Sequence, residues 1–312
     1  MDFGLSYYIA PLIGFCAMLA GGFWGLGGGW FVVPALMAMG VETPVAAGAS
    51  LLQMLPSTFL TVLKQFKSIG WGKNSWGINI ALPICGMAFI GGFFGCPAGD
   101  FMEAFFNSRK PQQCIYLVLL GFILYKTFMH KPAASSIEDI EVTKPSWAKT
   151  GVIGFLVGVL SSLLGIGGGT ITRPVMKSYL HVPEIFTGKI ARLAVFTTAL
   201  AGTTSYLMKI DTLKIGDPGT DSLILGLLMA SGGFIGFPLG AWLHSKVVSS
   251  GNGERAAHSF SYVVIMVIVS LFFKIINVPE GSQITIFICG IFLLAFLPIF
   301  TVWSQKHPVD KL

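Results

Sequence analysis

Two glycine triplets set in apolar sequence are the groups in this chain best placed to do chemistry. Residues 25–29 read GLGGG and residues 165–169 read GIGGG. A run of glycines releases backbone N–H groups from helical pairing and lets a ligand come close to the main chain. The stretches that follow, Trp30 to Met39 and Thr170 to Tyr179, read as short helices whose N-termini face the break. Free N–H groups and the positive end of a helix dipole together attract an anion. The candidate binding groups are therefore the backbones of Gly27, Gly28 and Gly29 and of Gly167, Gly168 and Gly169. Pro34 and Pro174 each stand five residues past a triplet and are candidate hinges. The competing structural reading is close packing of helices through small residues.

Side chains add to this set. Arg173 precedes Pro174 in an apolar run where the first motif has Val33. An ionisable residue at membrane depth is a functional candidate, and a guanidinium suits bidentate capture of an oxyanion. Its structural alternative is snorkelling to a headgroup or capping nearby carbonyls. Lys189 and Arg192 open the next span. Ser57 and Thr58 correspond to Thr197 and Thr198, and their hydroxyls either line a polar path or bond back to their own helices. Gln53, one turn before Ser57, carries an amide that needs a partner inside a span.

Absences narrow the chemistry. No acidic residue falls near the middle of a span, since Asp100 and Glu103 lie at the end of one. Proton-coupled carriers usually place Asp, Glu or His on their path. An anion leaving down an inside-negative potential needs no such group, because the field supplies about 2.3 kcal/mol per charge per 100 mV. No GxSxG, HExxH or GxxxxGK[ST] occurs, so enzyme readings find no support. The five cysteines form no CxxC, and His244 and His258 flank a loop without metal spacing. No metal or cofactor is expected.

The elements that must position these groups follow from composition and repetition. The 312 residues are 54% hydrophobic and 11% charged, with a mean hydropathy of +0.76. Soluble domains carry about 25% charged residues, so the chain reads as an all-α polytopic membrane protein. Residues 13–34 and 153–174 align in constant register, and GGFFGCPAG (Gly91 to Gly99) recurs as GGFIGFPLG (Gly232 to Gly240). The reading is a tandem duplication: a first membrane repeat over 1–130, a polar cytoplasmic linker over 131–149, a second repeat over 150–276, and an extra transmembrane helix and tail over 277–312. Met1 to Ser6 carry no Lys or Arg, so no cleavable signal is expected. The apolar stretch from Tyr7 to Met39 would run about 50 Å as one helix, too long for a core of about 30 Å, and must break at its glycines.

Whether each long segment crosses or returns is decided by the basic residues of the loops. Crossing divides them almost evenly. Return gathers fourteen on one side and leaves five, Arg109, Lys110, Lys209, Lys214 and Lys274, on the other. The positive-inside rule favours return and makes the larger set cytoplasmic. Three crossings per repeat then give the two repeats opposite orientation, the inverted plan in which broken helices surround a midplane site.

GLGGGWFVVPAL (Gly25 to Leu36) and GIGGGTITRPVM (Gly165 to Met176) resemble the paired signature of the TauE/SafE sulfite-exporter family. The GGFFGCPAG and GGFIGFPLG elements fit the same plan, and the resemblance extends from about Ile9 to Ile276. It implies export of small sulfur-containing anions, sulfite or organosulfonates, across the cytoplasmic (inner) membrane. A channel-like permease for another solute and a non-transporting scaffold subunit are the alternatives. The partners expected are a small anionic substrate and the lipid bilayer, with a homo-oligomer left open and no nucleic acid.

Overall fold

The computed structural model describes residues 3–72, 75–129, 147–180, 182, 184–210 and 216–308. Among these the chain is helical, with no strand. The first helices are α1 (Phe3–Trp24), α2 (Gly29–Ala38), α3 (Thr43–Gln65), α4 (Leu82–Phe106) and α5 (Lys110–Met129). They are followed by α6 (Trp147–Leu164), α7 (Gly169–Tyr179), α8 (Glu184–Leu207), α9 (Pro218–Ser249), α10 (Gly253–Ile275) and α11 (Pro279–Lys306). Seven of the helical stretches are long and apolar enough to cross a membrane. Most of the expected linker lies outside the described residues, and α6 begins at Trp147, before the linker's expected end.

The breaks form where glycine permits them. Gly25 and Gly27 have φ of +70° and +79°, and Gly165 and Gly167 have +67° and +71°. L side chains avoid this left-handed region, so glycine is required at both elbows. Helix α1 ends there after about 33 Å of rise, and α2 returns over only about 15 Å. Each broken segment is thus a full-length helix joined to a half-length one.

Packing exchanges partners along the chain: α1 lies on α9, and α6 lies on α4. A Cβ on Gly232, Gly236 or Gly240 of α9 would run into the carbonyls of Pro11, Phe15 or Leu19 of α1, at 2.5 Å in the case of Gly236 and Phe15. Gly91 of α4 meets the Phe155 carbonyl in the same way, and Gly154 and Gly158 of α6 meet those of Ile84 and Ala88. Within a bilayer, such glycine stripes let backbones approach and build association from dispersion and Cα–H···O contacts. The repeated GGFFGCPAG and GGFIGFPLG elements are therefore helix-packing surfaces.

Side-chain contacts place the ends of each segment. Tyr7 Oη donates to Asp221 Oδ1 (2.6 Å) near the start of α9. Glu42, just past α2, shares a cavity with Arg109, Lys209 and Asp217. Both ends of α1–α2 therefore lie on one face, the Lys209 face. On the other side, Lys189 Nζ donates to the Ser68 carbonyl (3.1 Å), and Val182 packs with Ile69 and Trp76. There Gly154, near the start of α6, also meets Ile84, near the start of α4. Both ends of α6–α7 lie on this Lys189 face. The two broken segments enter from opposite faces, and each returns to its own.

Candidate functional site

The two breaks meet at the centre of the helix bundle. A Cβ on Gly29 would stand 2.5 Å from the Gly165 carbonyl oxygen and 2.7 Å from Ile166 Cα. One on Gly169 would stand 3.4 Å from the Leu26 carbonyl oxygen. The N-termini of α2 and α7 thus each abut the opposite break. Positive helix ends held together raise the local potential and favour an anion between them.

Helices α3 and α8 supply the rest of the centre. The Ser50 hydroxyl donates to the Gly165 carbonyl (2.6 Å), and Tyr116 Oη of α5 donates to the Gly29 carbonyl (3.2 Å). Met54 and Val195 lie against the left-handed glycines of both breaks, Gly27 and Gly167. They are 0% and 1% exposed, so the described conformation is closed at its midpoint.

The hydroxyls flagged from sequence sit near this centre, and most of them serve the helix they stand on. Ser57 donates to the Met54 carbonyl (3.2 Å), Thr58 to the same oxygen (2.7 Å), and Thr197 to the Ala194 carbonyl (3.2 Å). Thr198 also donates to Ala194 (2.7 Å), but its oxygen accepts the backbone N–H of Gly168 (2.9 Å). It therefore satisfies one of the donors that the break releases. Gln53 is 1% exposed, and neither of its amide atoms finds a hydrogen-bond partner among the described residues. A desolvated amide without partners costs stability, which marks it as a group kept for another reason.

Arg173 projects from α7 to the end of α1, where Nη1 donates to the Trp24 carbonyl (2.9 Å). The carbonyls at a helix C-terminus need such donors. At the matching end of α6 the donor is neutral, Gln112 Nε2 on the Leu163 carbonyl (2.5 Å). Pro34 and Pro174 lie inside α2 and α7, each interrupting its helix's bonding where a bend is easiest.

Sequence reading assigned no role to the cavity of about 370 Å³ on the Lys209 face. Its wall includes Tyr206, Ser222, Arg109, Lys209, Glu42 and Asp217. Lys209 pairs with Asp100 (2.5 Å) and Arg109 with Glu103, so both cations are already engaged. Tyr206 lies on α8 and Ser222 on α9, while the other four lie in segments between helices, and no spacing along the chain announces that they meet.

The family model for the sulfite exporter TauE/SafE matches residues 10–273. The chain is 24% identical over 266 residues to the probable membrane transporter protein YunE of Bacillus subtilis (strain 168), covering 78% of this chain and 90% of that one. It is 25% identical over 253 residues to the probable membrane transporter protein MJ0441 of Methanocaldococcus jannaschii, covering 79% and 89%. A probable membrane transporter protein of Haemophilus influenzae is 25% identical over 196 residues, covering 62% and 66%. No solved structure matches the chain. The family and its relatives are transporters and not enzymes, and seven apolar helices make the chain a multi-pass protein of the cytoplasmic membrane. On the match across most of its length, the chain belongs to the TauE/SafE sulfite exporter family and is a membrane transporter.

Proposed function

We propose that the chain exports small sulfur-containing anions, sulfite or organosulfonates, across the cytoplasmic membrane. The site lies where the breaks of an inverted repeat converge. The observation that carries this reading is the join itself, with Gly29 of α2 on the Gly165 carbonyl and Gly169 of α7 beside that of Leu26. Two positive helix ends meet there, with Thr198 and Gln53 nearby and a guanidinium, Arg173, at the end of α1. The Lys189 face is cytoplasmic. Passage requires Met54 and Val195 to part, with bending at Pro34 and Pro174 separating the half-helices from α3 and α8. The closed centre favours a carrier over an open channel. An inside-negative potential drives the anion outward, by about 2.3 kcal/mol per charge per 100 mV.

The test is flux of radiolabelled sulfite and ethanesulfonate in proteoliposomes containing the purified chain, with an imposed potential of either sign. Saturable flux that reverses with the potential is the expected result. Absence of flux with both anions would sink the substrate assignment.

A further inference from the structure

Helix α9 starts on the Lys209 face, and its 32 residues rise about 48 Å, so Ser249 lies on the Lys189 face. There the end of α9, the start of α10 and the end of α11 are tied into one corner. Ser250 Oγ and Ser304 Oγ share a hydrogen bond (2.6 Å), and Asn252 Nδ2 donates to the carbonyls of Ser304 (3.4 Å) and His307 (3.0 Å). Three cations stand around this corner, Lys246, Arg255 and Lys306, each within one turn of the end of an apolar span. Among the described residues none of the three pairs with a carboxylate. Two of them are held by aromatic rings instead. Lys246 Nζ stands 3.8 Å from the centroid of the Trp242 ring, and the Arg255 guanidinium lies 5.3 Å from that of Trp303. Arg255 Nη1 also donates to Asn252 Oδ1 (3.1 Å). Ring and amide thus fix the guanidinium of an exposed residue, and one bond leaves most of its N–H donors available. Trp303 stands near the head of a ladder along α11. Phe292, Phe296, Phe300, Trp303 and His307 stack at successive distances of 4.8, 5.3, 6.0 and 5.0 Å, with interplanar angles between 14° and 23°. The ladder runs about 22 Å from the membrane surface towards the middle of the bilayer. Its three phenylalanines are half-buried, with one side on the core and the other open.

We propose that this corner binds the headgroup of an anionic phospholipid, with the phosphate on Arg255, Lys306 and Lys246 and an acyl chain along the α11 ladder. The site goes beyond the transport reading and does not depend on the substrate carried. Each Lys or Arg near an anionic bilayer surface strengthens attraction about fivefold, and basic pockets between helix ends are where such headgroups lodge. A guanidinium already fixed by a ring and an amide presents its fork to two phosphate oxygens with little further loss of freedom. A free phosphate ion would use the cations alone. A lipid uses cations and ladder together, and the ladder's course into the bilayer therefore selects the lipid. Helix α11 is also the least buried of the seven apolar spans, 28% against 39–67% for the others. A lipid bridging it to α9 and α10 supplies contact that the protein itself lacks.

The experiment is native mass spectrometry of the full-length chain in detergent, titrated with dioleoylphosphatidylglycerol, dioleoylphosphatidylcholine or glycerol 3-phosphate, with thermal stability recorded for every variant. Phosphatidylglycerol should bind wild type about tenfold or more tightly than phosphatidylcholine and should raise its Tm. Glycerol 3-phosphate, which offers the phosphate without the chains, should bind about tenfold or more weakly than phosphatidylglycerol. Arg255→Gln should weaken phosphatidylglycerol binding about tenfold, and Lys306→Gln about fivefold. Arg255→Lys keeps the charge, loses the fork, and should fall between wild type and Arg255→Gln. Lys64→Gln, an exposed cation on the same face at the end of α3, should change the Kd by less than about twofold. Equal binding of the two lipids would overturn the site, as would an unchanged affinity in Arg255→Gln and Lys306→Gln or an equal loss in Lys64→Gln. Glycerol 3-phosphate binding as tightly as phosphatidylglycerol would overturn the lipid as occupant. If Arg255→Gln is too unstable to titrate, Arg255→Lys and the exposed Lys306→Gln decide.

Discussion

Alanine at Gly29 strikes the point where the two broken segments touch. Its Cβ would stand 2.5 Å from the Gly165 carbonyl oxygen, 2.7 Å from Ile166 Cα and 2.8 Å from Ile166 C. Real Cβ contacts essentially never fall below 3.0 Å, so the segments must separate by at least half an ångström. All three obstacles are main chain, and Gly165 is itself held at φ +67°, so no side-chain rotation relieves the clash. Overpacking of this kind costs about 1–3 kcal/mol, which corresponds to a Tm loss of roughly 2 to 10 °C. Gly290→Ala is the matched control, because a Cβ there has nothing within 4 Å and α11 gains helix propensity of up to about 1 kcal/mol. Both variants would be followed by thermal unfolding in detergent and by sulfite flux in proteoliposomes. Gly29→Ala should lower Tm and depress flux, while Gly290→Ala should hold or raise Tm and leave flux intact. If Gly29→Ala matched Gly290→Ala in both readouts, the breaks would not be in contact as described.

Four further outcomes follow from the same geometry. Arg173→Ala should cut anion flux about tenfold through the lost guanidinium, whereas Val33→Ala, which removes two buried methyls, should lower Tm with little change in flux; equal effects on flux would remove Arg173 from the path. Gln53→Leu should raise Tm, since it deletes a desolvated amide worth about 1–3 kcal/mol, yet reduce flux; a drop in Tm would show the amide to be structurally paired. Thr198→Val should cost about 1–3 kcal/mol by stranding the Gly168 N–H, whereas Thr58→Val, which loses only bonds within its own helix, should cost less than about 1 kcal/mol in the same melts. In a cysteine-free chain in intact cells, a membrane-impermeant maleimide should label Lys110→Cys and not Lys67→Cys, and the reverse pattern would invert the assigned orientation.

Much of this was legible in the sequence because glycine and charge leave marks that need no tertiary information. The triplets announced the breaks, and the half-helices start within a residue of their expected beginnings, at Gly29 and Gly169. The imbalance of loop lysines and arginines pointed to return rather than crossing, as the contacts of Tyr7 with Asp221 and of Lys189 with Ser68 have it. What stayed hidden depends on packing between distant elements. Arg192 read as an ordinary helix-opening cation because only the fold lays it over Gly25. His244 read as a loop-flanking residue until α9 brought it to Phe23. The hydroxyls were conspicuous by type, yet their bonds to Met54 and Ala194 are settled by local rotamers that spacing does not encode. Met54 and Val195, which close the centre, carry no chemical signal at all.

The exchange of partners between α1 and α9 has a consequence for how the chain is made. Some 190 residues separate Trp24 from Pro218, so at about 5–20 residues per second the ribosome needs on the order of 10–40 s to deliver the second helix after the first. Throughout that interval the Pro11, Phe15 and Leu19 surface of α1 faces lipid or the insertion machinery instead of the glycines it fits. Helix α6 has no such delay, because α4 is already in place when it emerges. Assembly is therefore ordered in time, with the α4–α6 pair as the early nucleus and α1 docked last. A truncation anywhere before Ser249 leaves a helix that has entered the membrane without its mate, a natural mark for proteolytic quality control.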